Sequence, residues 1–200
     1  MAMSTERLLD DLARLVEVES PTGDIEACRQ CADVVADLGH ELLGAPPSQT
    51  SEAGRPFLRW SFGAPRVLLV GHLDTVWPRG TLARWPFRVD DGRATGPGAF
   101  DMKAGIVQLF HALAALEDFD GVSVVLSSDE ETGSATSRQA IEAAALGCSA
   151  ALVLEPSAGG TAATTTPCVG HDTRRVLACK YTWVVPRSRP RHRRGSLLRS

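Results

Sequence analysis

Three short apolar runs in this chain stop abruptly at side chains that bind cations or move protons, and this pattern constrains the fold most. Residues 67–70 (VLLV) are followed by Gly71, His72, Leu73 and Asp74; residues 122–126 (VSVVL) run into Ser127, Ser128, Asp129, Glu130 and Glu131; residues 150–154 (AALVL) end at Glu155 and Pro156. A short run of β-branched and aliphatic residues reads as a strand covered on both faces, the environment of a parallel sheet. Between the runs lie helical patterns, one with Ile106, Leu109, Phe110, Leu113 and Leu116 on one face and another over residues 137–145. Alternating helices and strands predict a layered α/β fold with a mostly parallel sheet. In such sheets ligands bind at the carboxyl edge of the strands, which is where all three polar endings would stand.

The remaining elements are legible with less chemistry. Leu8, Leu9, Leu12, Leu15 and Val16 recur at helical spacing, and Pro21 with Gly23 stops that helix. A second helix is expected over residues 24–38, with Ile25, Cys28, Ala32 and Val35 on one face. Cys28 and Cys31 therefore read as core thiols, since a lone C-x-x-C pair leaves zinc short of ligands. Residues 58–62 suggest a short strand, and residues 87–89 with 93–95 a hairpin around Asp90, Asp91 and Gly92. His40, His111 and Met102 are read as ordinary helix or loop residues.

Composition excludes several classes. A chain of 200 residues, 44% hydrophobic and 22% charged, has enough apolar material for one core. No apolar run approaches the roughly 20 residues needed to span a bilayer, so no membrane partner is expected. The start shows no cleavable signal pattern and the five cysteines are irregularly spaced, so a cytoplasmic location is expected. The net charge of −3 conceals a split. Residues 1–160 hold 12 Lys+Arg against 23 Asp+Glu, whereas residues 161–200 hold 9 against 1. That basic segment could meet phosphates, but it has only Tyr181 and Trp183 for stacking and no nucleic-acid module pattern. Nucleic acid is not an expected partner.

The polar endings, joined by Asp101 after the glycine loop that begins at Gly96, suit a divalent metal. Carboxylates that stayed ionised side by side would repel one another without a cation, and the imidazole favours zinc over magnesium. His72 is then a ligand. Asp74, two residues on along an extended segment, can accept the other ring N–H and fix the tautomer. Asp101 can bridge two ions. Strand alternation would point Glu130 and Glu131 apart, so that one ligates while the other takes a proton from water; Glu155 completes a shell. Gly96 and Gly98 before a helix weakly suggest a dinucleotide loop, but Asp101 stands where the third glycine would be and opposes a pyrophosphate.

Four stretches carry a resemblance. GHLDTV from Gly71, GPGAFDMKAG from Gly96, DEETGS from Asp129 and LEP from Leu154 resemble, in order and spacing, the two-zinc peptidases that include glutamate carboxypeptidase (carboxypeptidase G), aminoacylase and succinyl-diaminopimelate desuccinylase. TLARWPF from Thr81 looks most like the glutamate carboxypeptidase branch. The resemblance covers about residues 5–160. It implies a three-layer α/β/α zinc-exopeptidase catalytic domain that hydrolyses an amide bond beside a free carboxylate, in a small peptide or an N-acyl amino acid. It further implies one zinc on His72, Asp101 and Glu155, another on Asp101, Glu131 and a further histidine, Glu130 as general base, and Asp74 orienting His72. His171 and His192 match neither remaining family histidine. Because the composition changes after residue 160, the chain is expected to divide into a partial catalytic domain, residues 1–160, and a basic, disordered or frame-shifted tail, residues 161–200. The lid or dimerisation domain is then absent, one zinc is retained and activity is weak. The alternative is a non-catalytic fragment that binds one metal or a partner.

Overall fold

The computed structural model describes residues 4–156, 163–165 and 175–178. Its helices are α1 (Thr5–Val16), α2 (Ile25–Leu43), α3 (Ala104–Ala114) and α4 (Arg138–Ala145). Its strands are β1 (Ser48–Glu52), β2 (Arg55–Ser61), β3 (Val67–His72), β4 (Arg88–Asp90), β5 (Arg93–Thr95), β6 (Val122–Ser127), β7 (Ala150–Val153), β8 (Ala163–Thr165) and β9 (Arg175–Ala178). Seven strands form one sheet in the order β1-β2-β6-β3-β7-β9-β8, and β4 and β5 form a separate hairpin. The centre, β6-β3-β7-β9, is parallel, while β1, β2 and β8 join antiparallel at the two edges.

Strand alternation divides the core in two. On one face Leu58, Trp60, Leu69, Val124 and Leu126 pack against the buried stripes of α1, α2 and α3, including Leu15, Val35, Leu38, Ile106 and Phe110. On the other face Phe57, Leu68 and Val125 meet Ala144 of α4 and Cys148. The result is the expected α/β/α layering. Burying a Leu, Ile or Phe side chain contributes about 1.5–3 kcal/mol, so the larger cluster dominates cohesion.

α2 starts where Asp24 accepts a hydrogen bond from the backbone N–H of Ala27 at 3.0 Å. It continues past residue 38, the expected end, to Leu43. The glycine at position 39 is there for closeness rather than for termination: a Cβ on Gly39 would stand 2.5 Å from Cζ2 of Trp60 and 3.0 Å from Cζ of Phe110. Those two rings meet edge-on with centroids 5.1 Å apart. Cys28 and Cys31 are buried free thiols on this helix, and burial pushes Cys28 up to about 12. The Asp90-Asp91-Gly92 hairpin forms with Arg88 opposite Thr95. β8 and β9 extend the sheet beyond β7, and most of residues 161–200, expected as a separate tail, lie outside the described residues. His171 and His192 lie outside the described residues. No helix among the described residues is long and apolar enough to cross a membrane.

Candidate metal centre

Parallel register brings the polar endings level. His72, the last residue of β3, pairs with Ser127, the last of β6, and Val70 pairs with Val153, the last of β7. The chain leaving β6 therefore delivers Glu130 and Glu131, and the chain leaving β7 delivers Glu155, beside the His72 ring. Asp101 arrives from the irregular turn Ala99–Lys103 ahead of α3, with an extended backbone (φ −121°, ψ 103°) and a cis peptide bond to Met102. Gly98 admits that turn because a Cβ there would stand 2.4 Å from Cγ2 of Thr75.

His72 is 1% exposed, and its Nε2 faces three carboxylates: Asp101 Oδ1 at 3.1 Å, Glu155 Oε1 at 3.1 Å and Glu130 Oε2 at 3.9 Å. Two ligand-type groupings share this ring, His72 with Glu130 and Glu155, and His72 with Asp101 and Glu131; within each, the donor atoms lie within 4.8 Å of one another. All six residues singled out in the sequence thus meet at one edge of the sheet. By distance alone Glu130 stands among the possible ligands, so proximity does not divide base from ligand.

Asp74 is fully buried, and its contacts are more varied than the sequence suggested. Its backbone carbonyl lies 3.0 Å from His72 Nδ1 and its Oδ1 3.4 Å, so main chain and side chain share the task of holding the ring. Its carboxylate also accepts from the backbone N–H groups of Glu130 and Glu131, each at 3.3 Å. Those two glutamates lie on the 3₁₀ turn Glu130–Thr132 rather than on an extended strand. Alternation therefore does not set their directions; the turn, pinned to Asp74, does.

Burial opposes a charge on His72, but hydrogen bonds to Asp101, Asp74 and Glu155 outweigh it and push its pKa up to about 12. Burial pushes Glu130 and Glu131 above the ordinary carboxylate range. His72 opposes that rise, and the neighbouring carboxylates reinforce it. One buried imidazole facing four partly exposed, mutually repelling carboxylates is donor chemistry that a divalent cation relieves, so these residues fit such an ion.

Sequence reasoning missed the supports. The His72 backbone N–H donates to Met102 Sδ at 3.2 Å. Lys103, 1% exposed, donates to the carbonyls of Val18 at 2.7 Å and Leu15 at 3.1 Å, tying the Asp101 turn to the end of α1; burial holds its pKa below the usual lysine value. His111, on α3, is buried and lies 2.6 Å from Asp11. None of these is marked by periodicity, and each becomes visible only when distant segments meet.

An α/β/α sheet with an imidazole and carboxylates gathered at its carboxyl edge suits a metal-binding protein, and comparison with known proteins gives a family. The family model for peptidase family M20/M25/M40 matches residues 68–192, a span that runs past the composition change near residue 160. The chain belongs to that family. It is 32% identical to carboxypeptidase G2 of Pseudomonas sp. (strain RS-16) over 165 residues, which is 76% of this chain and 39% of that protein. It is 35% identical to succinyl-diaminopimelate desuccinylase of Anaplasma marginale (strain Florida) over 124 residues, 59% of this chain and 32% of the relative. The chain thus spans about two fifths or less of the curated relatives it matches. Among solved structures it is similar in fold to human carnosine dipeptidase 1, with a TM-score of 0.64 at 20% identity over 80% of this chain and 41% of that one. The M20 family metallo-carboxypeptidase Sso-CP2 from Sulfolobus solfataricus gives a TM-score of 0.62 at 20% identity, over 82% and 40% of the two chains.

Proposed function

We propose that residues 4–156 are the metal-holding part of a zinc-dependent amidohydrolase that cleaves an amide bond beside a free carboxylate, in a small peptide or an N-acyl amino acid. The observation that carries this reading is the gathering of Asp101, Glu130, Glu131 and Glu155 around one buried imidazole. The family membership and the carboxypeptidase and desuccinylase relatives support the reaction class. The buried thiols of Cys28 and Cys31 fit a reducing, cytoplasmic setting.

His72, Asp101 and Glu155 would hold one zinc, and Asp101 with Glu131 would hold a second. A bound ion supplies Lewis acidity toward the scissile carbonyl and the attacking water. Glu130, whose carboxyl pKa burial pushes up, would take a proton from water and return it to the departing nitrogen. Asp74 holds the ring of His72 and does not touch substrate. Among the described residues, that second ion would have two carboxylates, a poorer zinc site than the three or four protein ligands usual for zinc. The chain is therefore expected to bind near one zinc per molecule and to turn over acyl-glutamate substrates slowly.

The test is zinc content and hydrolysis in the full chain and its variants. Glu130→Gln should keep zinc and lose turnover, Glu155→Ala should lose the tight zinc, and Glu131→Ala should lower occupancy of the second site. Equal zinc loss in Glu130→Gln and Glu155→Ala would refute the division of roles. Two tightly held zincs per wild-type chain would mean that His171 or His192 supplies the missing ligand.

A further inference from the structure

The segment between α1 and α2 touches the Asp101 turn and the loop after β3 directly, and reaches the loop after β6 through Arg55. The Val18 carbonyl accepts from Lys103, two residues beyond Asp101. The Ser20 hydroxyl donates to the Leu73 carbonyl at 2.6 Å, and the Ser20 carbonyl accepts from the Thr75 N–H at 2.8 Å. Pro21 and Thr75 form an isolated parallel bridge. The Thr22 carbonyl accepts from Arg55 at 2.7 Å, and the same arginine nitrogen donates to the carbonyl of Ser128 at 3.0 Å, just ahead of Glu130.

Within this segment one side chain reaches the centre itself. Thr22, 7% exposed, donates its hydroxyl to Asp74 Oδ2 at 2.8 Å, the shortest contact that carboxylate makes. The other contacts, from the N–H groups of Glu130 and Glu131 and from the His72 ring, are 3.3–3.4 Å long. A hydrogen bond weakens with that lengthening, so the hydroxyl decides where the carboxylate plane rests. Thr22 is in turn held at its own backbone by the Thr75 carbonyl, which accepts its N–H at 3.1 Å, and by Arg55. Its β-branch further limits the rotamer.

We propose that Thr22 is a positioning residue: its hydroxyl fixes the Asp74 carboxylate, which then orients both the His72 ring and the turn carrying Glu130 and Glu131. The sequence separation of 52 residues hides this link. The proposal rests on the metal-centre reading for its consequence and on geometry alone for the placement of the turn, so two readouts separate them.

Thr22→Val removes the hydroxyl at nearly constant shape, and Thr22→Ser restores it. Zinc affinity of the full chain is measured by competition with a chromophoric chelator, and amide hydrogen exchange at Glu130 and Glu131 is measured on metal-free protein. Thr22→Val is expected to weaken zinc binding about tenfold, the lower range for loss of an outer support of a metal ligand, and to speed exchange at both amides. Thr22→Ser should recover both properties. In an Asp74→Ala background Thr22→Val should have no further effect on either. A lower melting temperature with unchanged zinc affinity and unchanged exchange would overturn the proposal in favour of a purely structural hydroxyl. If the wild-type chain takes up no zinc, the metal-centre reading fails, and the exchange data alone decide the role of Thr22. Should Thr22→Val not fold, Thr22→Ala removes the same group, and failure of both to fold would also overturn the positioning role.

Discussion

Replacing Asp129 by alanine should lower stability by about 3 kcal/mol at neutral pH. Asp129 is 2% exposed, and its carboxylate accepts from the backbone N–H groups of Thr136 at 2.7 Å and Ser137 at 3.1 Å, and from both hydroxyls. A hydrogen bond to an ionised group nets about 1.5–3 kcal/mol; counting only the two amides, at the low end, gives the predicted loss. Burial pushes the Asp129 carboxyl up, but the hydrogen bonds from Ser137 and Thr136 outweigh it and hold the group below the ordinary range. A depressed carboxyl adds stability that is fully present above its unfolded pKa of about 3.9 and is lost as the pH falls through the lower folded value. The gap between wild type and Asp129→Ala should therefore be constant near neutrality and shrink below about pH 4. Urea unfolding followed by tryptophan fluorescence, with the buried Trp60 as a reporter, measures it. A gap under about 1 kcal/mol at neutral pH, or one that stays constant into acid, would refute the assignment of these bonds to an ionised, stabilising carboxylate.

Gly39→Ala forces a Cβ to within 2.5 Å of Trp60, so overpacking of about 1–3 kcal/mol should lower the urea midpoint. Arg14→Ala breaks an exposed two-bond pair with Glu41, at 2.9 and 3.0 Å, and should cost under about 1 kcal/mol in the same assay, less at high salt. Added zinc should raise the melting temperature, with a gain near 2.7 kcal/mol at about one hundred times its dissociation constant; chelator should reverse it, and His72→Ala should abolish it.

Much of the fold was legible because its signals are local. The helical stripe from Leu8 to Val16, the apolar runs that became β3, β6 and β7, and the Asp-Asp-Gly hairpin are all set by periodicity and turn chemistry within a few residues. β1 was not legible, since SQTSE is polar and mostly exposed and forms only because β2 offers it an edge. α2 continues past its expected end at residue 38 to Leu43, through Gly39, whose fit against Trp60 and Phe110 exists only in the folded chain.

The candidate site divides the same way. By itself the sequence determined that His72, Glu130, Glu131 and Glu155 follow strands and that Asp101 precedes a helix, all of them residue types that suit a cation. Parallel pairing then carries them to one edge whatever the details of packing. Only the tertiary structure decided how they are held: Glu130 and Glu131 ride on a turn pinned to Asp74, Met102 lies beneath the His72 backbone, Lys103 is sunk against the end of α1, and Thr22 reaches Asp74 from a loop between two helices. Ligands are chosen by type, which can be read one residue at a time. Supports are chosen by distance, which exists only after segments far apart in the chain have folded together.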